Sequence, residues 1–250
     1  MKKKLHFVLS VCLFIFLIQP NNTYAKQDHI NYNLLVDTLV TLLNPYISEV
    51  VEHYYGYHKS YGLSDIKVLN ISREKEGEFR FRVNIQVNTF EAAHNPPYGK
   101  ETIIFEVTVD KIKVIQFIHE GDEEERKIKH FYDETISDIK QSFKLNVNTF
   151  KKITYNQLLY KSEKQKGYKS LLNIVTNIIV DELNPTIKPP YKNVIEPVTF
   201  IKENKGYILF KKADGTNIIL QVSKLNDNWV VVKKESKQGK KMKKDLLWYM

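Results

Sequence analysis

The chain has 250 residues, of which 42% are hydrophobic and 27% charged, and its formal net charge is +9. The positive charge is local, because the tail from Lys233 to Met250 holds seven lysines against Glu235 and Asp245. The long segment before this tail is almost neutral. A nucleic-acid-binding protein spreads its basic residues over a face or along a helix. The composition therefore argues against a nucleic-acid partner.

The N-terminus is typical of a secretory signal peptide. Lys2, Lys3 and Lys4 precede an almost unbroken apolar run from Leu5 to Ile18, and small or tolerated residues follow up to Ala25. A membrane-spanning helix needs about 20 predominantly apolar residues, so this run is short for a permanent anchor. We predict cleavage after Ala25 and a protein that is secreted or associated with the cell envelope, with a retained anchor as the alternative.

The single cysteine, Cys12, lies inside this apolar run, so a mature chain that starts at Lys26 contains none. Thiol catalysis and cysteine-type zinc sites are thereby excluded from the mature chain. An exported chain of this size without a disulfide is stabilised by its core alone. Exported proteins without cysteine are common in Gram-positive bacteria, and we favour that origin.

The first half of the chain predicts a helix followed by an antiparallel meander. Apolar residues at helical spacing predict a helix over about 29–55, which Asn44-Pro45 should kink or divide into two abutting helices. Alternating side chains predict the strands, and a ten-residue loop from Glu91 to Lys100 should connect the second to the third. A second helix should begin at Asp122 with a capping-box-like start. The predicted strands are 66–73, 79–88, 103–109 and 112–119.

The second half repeats this order of elements. A helix is predicted over about 155–183, and it ends at a Leu-Asn-Pro sequence. The same three residues mark the expected break in the first helix. The halves resemble a diverged tandem duplication, with chance similarity of a common layout as the alternative. We predict an α+β fold of two tandem domains, 26–143 and 154–250, joined by a linker at 144–153. Each domain is a helix packed on a small antiparallel β-meander, followed by a further helix in the first. The predicted strands of the second are 198–201, 207–211, 217–223 and 229–234.

The chain contains no sequence motif for a catalytic nucleophile, a nucleotide phosphate, a dinucleotide or a metal ion. We therefore lean towards a protein that is not an enzyme, and we predict no catalytic residue, no metal and no cofactor. The alternative is a small hydrolase with a histidine–carboxylate site in a sheet cleft, formed by His94 with Glu91 or by His119 with Glu120. A carrier that encloses a small ligand in an apolar pocket is a further alternative.

Five aromatic or histidine residues are candidate binding residues. His94 and Tyr98 lie in the expected loop, which two prolines should stiffen, and Tyr191 follows a second proline pair. Tyr57 and Tyr61 follow the first helix as surface candidates. Tyrosine combines an apolar ring with a polar tip, which suits contacts with glycans or proteins. The alternative for the proline loop is a rigid cover over the sheet edge.

The basic C-terminal tail is a further candidate binding segment. Its charge suits an anionic cell-wall polymer or an anionic membrane surface, and salt should weaken such contacts. The alternative is that Trp248 and Tyr249 dock on the protein as Phe131 and Tyr132 do, which leaves the lysines in solvent. The candidate lysines are Lys237, Lys240, Lys241, Lys243 and Lys244.

Four short segments carry a family resemblance: Leu42-Leu43-Asn44-Pro45-Tyr46-Ile47, Tyr54-Tyr55-Gly56-Tyr57, Thr89 to Gly99, and His119 to Asp122. Through them the chain resembles a domain-of-unknown-function family of exported proteins from bacillus-type Gram-positive bacteria, most strongly over residues 30–140. The resemblance implies no activity. The layout is also similar to cystatin-like and nuclear-transport-factor-like folds, and a fold does not imply a function. We predict a non-catalytic exported binding or interaction module at the cell envelope.

Overall fold

The computed structural model describes residues 31–91, 94–186 and 195–242. Residues 39–250 form one compact unit and residues 1–38 a separate one. The predicted signal peptide and its cleavage site, Tyr191, and the chain from Lys243 onward lie outside the described residues.

Helix α1 (Tyr32–Tyr55) is one continuous helix, although Pro45 lies inside it. The expected division into two abutting helices is therefore wrong. Pro45 is exposed, whereas Leu43 and Ile47 on either side of it are fully buried, so tertiary packing holds the helix together across the proline. Among the described helices, α1 is the one long and apolar enough to cross a membrane, a property shared by core helices and signal sequences.

The first sheet contains five antiparallel strands in the order β1-β3-β4-β5, and β2 also pairs with β3. Val83, Ile85 and Val87 alternate towards the buried face of the sheet, as predicted. The ring of Tyr54 lies 5.0 Å from the ring of Phe117, which places the end of α1 on this face. The strands are β1 (Ser60–Tyr61), β2 (Lys67–Arg73), β3 (Phe81–Glu91), β4 (Asn95–Val107) and β5 (Ile112–Gly121).

The hairpin between β3 and β4 is much tighter than expected. Glu91 pairs with Asn95, so β4 begins directly after the turn and includes Pro96-Pro97, whose peptide bond is cis. The expected ten-residue loop is therefore wrong. Proline lacks an N–H for the ladder but is tolerated at a β-bulge, and the register shifts here so that several residues of β4 lie opposite Phe90 alone.

Helix α2 (Glu123–Phe143) begins at its predicted N-cap, where Asp122 Oδ1 accepts a hydrogen bond of 2.7 Å from the Glu125 N–H. The segment expected to be a linker contains strand β6 and buried Val147. The single helix expected over 155–183 is divided after Lys164, where a turn around Gly167 interrupts it. The pieces are α3 (Tyr155–Lys164), α4 (Lys169–Asn177) and a π-helix (Ile178–Leu183).

The second sheet is antiparallel, in the order β10-β9-β8-β7-β6. The four strands predicted for it are present, and the short β6 was missed. Helix α2 contacts β8, β9 and β10 of this sheet and also β4 and β5 of the first. Two helix-covered antiparallel sheets are thus confirmed, while the tandem-domain arrangement stays a prediction. The strands are β6 (Lys151–Ile153), β7 (Val198–Lys202), β8 (Lys205–Lys211), β9 (Thr216–Leu225) and β10 (Asn228–Gln238).

A buried ion pair attaches α2 to the second sheet. Lys211 donates from Nζ to Asp138 Oδ2 at 2.6 Å and to the Lys240 carbonyl at 2.8 Å. Asn217 Nδ2 donates to the same carboxylate oxygen at 2.8 Å, and the Lys240 N–H does so at 3.1 Å. Burial acts to raise the pKa of Asp138, but the hydrogen bonds from Lys211 and Asn217 outweigh it and lower the pKa below its ordinary value.

Replacing Asp138 by Asn leaves the Lys211 ammonium buried without an anion. We expect the free energy of unfolding, measured by urea denaturation at pH 7, to fall by about 3–5 kcal/mol. Because the folded-state pKa of Asp138 is lowered, the wild-type advantage is present above its unfolded value and is lost as the pH falls through the folded one. The control is Asp133→Asn on the same helix, whose side chain is 61% exposed. Equal losses for the two variants would contradict the assignment.

Candidate functional site

Polar side chains gather on both faces of the first sheet at the end where β3 meets β4. Glu101 pairs across the sheet with His119, and their neighbours Lys100 and Glu120 pair with each other. Because successive side chains of a strand point to opposite faces, the two pairs are separated by the sheet. Glu101 and His119 belong to a buried network beneath α1, and Lys100 and Glu120 line an open cleft on the outer face.

The buried network consists of Tyr55, Thr89, Glu101, His119 and Glu125. Glu101 is fully buried, and its Oε1 accepts hydrogen bonds from the Tyr55 hydroxyl at 2.7 Å and the Thr89 hydroxyl at 3.0 Å. His119 Nδ1 lies 2.9 Å from Glu101 Oε2, and its Nε2 lies 3.0 Å from Glu125 Oε1. Each ring nitrogen of His119 therefore lies within hydrogen-bonding distance of a carboxylate.

The network is enclosed by its own surroundings. Burial raises the pKa of Tyr55, and the charge of Glu101 raises it further, so this phenol donates throughout the physiological pH range. A Cβ at Gly99 would collide with Glu101, and one at Gly121 with the Glu125 carboxylate. The Glu101 side chain is fully buried, and that of His119 is only 12% exposed. The arrangement attaches α1 and α2 to the sheet.

The two acid–base pairs expected from the sequence do not form. Glu120 lies on the opposite face from His119 and pairs with Lys100 at 2.9 Å. The carboxylate of Glu91 forms an ion pair with a buried lysine, while the ring of His94 stacks on a phenylalanine. Within residues 31–91, 94–186 and 195–242, no group of His, Cys, Asp or Glu side chains is arranged to hold a metal ion.

Tyr57 and Tyr61 attach the chain after α1 to the rest of the fold. The Tyr57 hydroxyl donates to Glu91 Oε1 at 3.3 Å, and the Tyr61 hydroxyl donates to Asn44 Oδ1 at 2.8 Å. Both tyrosines are partly buried, whereas Tyr54 is 48% exposed. Tyr57 and Tyr61 are therefore less exposed than expected of surface residues, and a binding role for them stays a prediction.

A second set of buried charges lies around Glu91. Lys59, whose side chain is 4% exposed, is the lysine that pairs with it. Burial raises the pKa of Glu196 to about 7, and the charge of Glu91 adds to that rise. The Glu196 N–H donates to the Tyr132 hydroxyl at 3.3 Å, so the segment before β7 is tied to α2 at this point.

The open cleft lies at the β3–β4 turn and has a volume of about 470 Å³. The rings of Phe90 and His94 are stacked in it, with centroids 4.0 Å apart and planes inclined by 25°. Tyr98 is 44% exposed and donates from its hydroxyl to the His94 carbonyl at 2.7 Å. His94 has a φ of 60°, which residues other than glycine adopt infrequently, and this bond helps to hold it. Small-molecule sites typically have volumes of about 300–1,000 Å³.

The rim of the cleft is polar and carries more negative than positive charge. Asp122 is held there because its Oδ2 accepts from the Tyr98 N–H at 3.0 Å, and its own N–H donates to the Tyr98 carbonyl at 3.0 Å. Asp65, Glu120 and Asp122 line the cleft together with a single lysine, Lys100. The surplus of carboxylates disfavours phosphate-rich ligands and favours neutral or cationic ones.

The structure thus brings together two of the predicted binding residues, His94 and Tyr98. Sequence reasoning missed Phe90 and the Lys100–Glu120 pair as their neighbours. These neighbours could have been predicted from the strand register, because Lys100 lies between Asn88 and Glu120 on one face of the sheet.

The described part of the basic tail lies against α2. Lys237 Nζ donates to the Ser142 carbonyl at 3.0 Å and lies 5.0 Å from the centre of the Phe143 ring. Lys240 and Lys241 are exposed and line a cleft of about 290 Å³ beside α2. The remaining candidates, Lys243, Lys244 and Tyr191, lie outside the described residues, as do Trp248 and Tyr249.

Residues 35–121 form a DUF3888 domain, which defines a protein family of unknown function. The domain ends with β5, so it contains most of the cleft and of the buried network but not α2. The expected resemblance to a domain of unknown function is confirmed in this coarse form. No curated protein and no solved structure matches the chain.

Replacing Gly99 by Ala should destabilise the protein, because the added methyl group meets Glu101, Thr89 and Tyr55 of the buried network. We expect the free energy of unfolding in urea to fall by about 1–3 kcal/mol, the range for overpacked sites. Gly167→Ala is the matched control, since its methyl group would find only Lys224 Nζ, at an ordinary 3.8 Å. An unchanged stability of the Gly99 variant would show that the network is loosely packed.

Proposed function

We propose that this protein is a non-catalytic exported binding module of the cell envelope and that the cleft is its binding site. The observation that carries the proposal is the stacked pair of Phe90 and His94 beside the half-exposed ring of Tyr98. Exposed aromatic rings beside polar groups are typical of recognition surfaces.

The cleft is preorganised, which supports a binding role. The backbone of Tyr98 is bonded on both sides to Asp122, and its hydroxyl is bonded to the His94 carbonyl. A side chain already held in place loses little conformational entropy when a ligand binds, so more of the contact energy contributes to affinity.

The buried network supports a structural role in preference to the alternative hydrolase. One observation favours a hydrolase, since His119 lies between two carboxylates, Glu101 and Glu125. However, the side chain of His119 is only 12% exposed and that of Glu101 is fully buried. Both nitrogens of the ring are occupied, whereas a general base needs one nitrogen free for the substrate or a water. A carrier is also less well supported, because the cleft is open and its rim is charged.

The basic tail adds a second, weaker contact in this proposal. The side chains of Lys240 and Lys241 are exposed beside α2, where they can approach an anionic wall polymer or lipid surface. Such exposed charges act over about 10 Å at 0.1 M salt. The tail therefore attracts the module to the envelope, and the cleft holds it there.

Replacing Tyr98 by Ala should reduce retention on the envelope, because it removes a ring of the cleft and releases His94. After fractionation of the producing cells into medium, wall and membrane, we expect about tenfold less of this variant in the washed envelope. Tyr98→Phe keeps the ring and should retain most binding. The control is Phe79→Ala, an aromatic residue that is 68% exposed in the turn before β3, far along the strand from Phe90. Wild-type protein found free in the medium, or equal retention of all variants, would refute the proposal.

Replacing the candidate tail lysines by Gln should remove the salt-sensitive part of retention. We expect the wild-type protein to be partly released by a rising salt wash, and the variant to show a nearly flat salt profile with the remaining retention intact. Folding of the variant is checked by its circular dichroism. An unchanged salt profile would exclude a role for the tail. The substituted residues are Lys237, Lys240, Lys241, Lys243 and Lys244.

A further inference from the structure

We infer that the cleft binds a sugar ring of a glycan that carries no negative charge, with an amine-bearing sugar preferred. This inference rests on the proposed binding function and names its ligand class. Three features of the cleft carry it: a flat aromatic surface, a rim with both hydrogen-bond donors and acceptors, and a surplus of carboxylates.

The aromatic surface fits the face of a pyranose ring. Phe90 covers one face of the His94 imidazole, so the pair presents a single flat surface, and His94 itself is exposed. Tyr98 extends the apolar area beside it. The axial C–H groups of a sugar ring are weakly positive and pack on the electron-rich faces of aromatic rings. A shallow open cleft accepts such a ring, whereas a compact apolar ligand would require an enclosed pocket.

The rim supplies partners for sugar hydroxyl groups. Lys100 and Glu120 form an ion pair at the rim of the cleft, and their side chains are 49% and 62% exposed. Together they offer an N–H donor and a carboxylate acceptor close to each other, which is what a pair of neighbouring hydroxyl groups needs. Asn88 and Asp65 are also exposed at the rim and add an amide and a second carboxylate.

The charge of the rim selects among glycans. With histidine counted as neutral, Asp65, Glu120 and Asp122 outnumber Lys100, whose charge is already engaged by Glu120. A phosphate or carboxylate on the ligand would meet this negative rim and be repelled, whereas an ammonium group would be attracted. An anionic wall polymer is therefore a partner for the basic tail and not for the cleft.

The test compares three tetrasaccharides of equal length with the full chain by isothermal titration calorimetry. The probes are the N-acetylglucosamine tetramer, its fully deacetylated amine form, and the galacturonate tetramer, which carries carboxylates. We expect the amine form to bind about threefold to tenfold more tightly than the neutral form at low salt, and the anionic form at least tenfold more weakly. At about 0.5 M salt the difference between the first two should largely disappear.

Two variants separate the stacking contribution from the charge contribution. Tyr98→Ala should weaken binding of the neutral tetramer about tenfold. Glu120→Gln removes one carboxylate acceptor and one negative charge, so it should weaken binding of the amine form more than binding of the neutral form and remove most of the preference for the amine form. Phe79→Ala, the control, should change neither.

The outcomes distinguish this inference from the function on which it rests. Anionic binding as tight as neutral binding, or preferences unaffected by Tyr98→Ala and Glu120→Gln, would overturn the ligand class. If no tetrasaccharide binds while envelope retention still depends on Tyr98, the ligand is not a sugar and the binding function stands. If retention is also absent, both proposals fail.

Discussion

The burial of the Glu101 carboxylate is the constraint on which the rest of the first sheet depends. A buried carboxyl group is tolerated only when hydrogen-bond partners surround it. Tyr55 supplies a hydroxyl from the end of α1, and His119 on the neighbouring strand places a ring nitrogen 2.9 Å from the carboxyl group. The space that these groups occupy requires glycine at position 99. The buried carboxyl group thus limits how large the residue at position 99 can be and is hydrogen-bonded to the last residue of α1.

Helix α2 is hydrogen-bonded to groups of both sheets and so links the buried network of the first sheet to the second. At its first turn, Asp122 caps the helix and holds Tyr98, while Glu125 completes the network around His119. Nearly four turns later, Asp138 accepts the hydrogen bonds that attach the helix to the second sheet. The sequence pattern assigns this helix to the first half of the chain, whereas in the structure its buried residues also belong to the core under the second sheet.

Two predictions that depend on the residues of a single helix or strand were confirmed. The alternation around Val83 and the N-cap at Asp122 depend on neighbouring residues alone, and both were predicted correctly. The predictions for Pro45 and for the Pro96-Pro97 pair were wrong, because packing of α1 in one case and a bulge in β4 in the other override the local cost of proline. The partners of His119 could not be predicted, since they depend on strand register and on a helix that returns to the sheet.

The two faces of the first sheet differ in how far their polar groups are already hydrogen-bonded within the protein. On the inner face, Glu101 is fully buried and accepts hydrogen bonds from two hydroxyl groups, and both ring nitrogens of His119 face carboxylates, so these groups are engaged within the protein. On the outer face, Lys100 and Glu120 share one contact and remain half-exposed or more, so each keeps bonding positions open to solvent. Groups of the same chemical type are thus structural on one side and available for recognition on the other. The hairpin that carries Phe90 is held firmly by the first set while it presents the second.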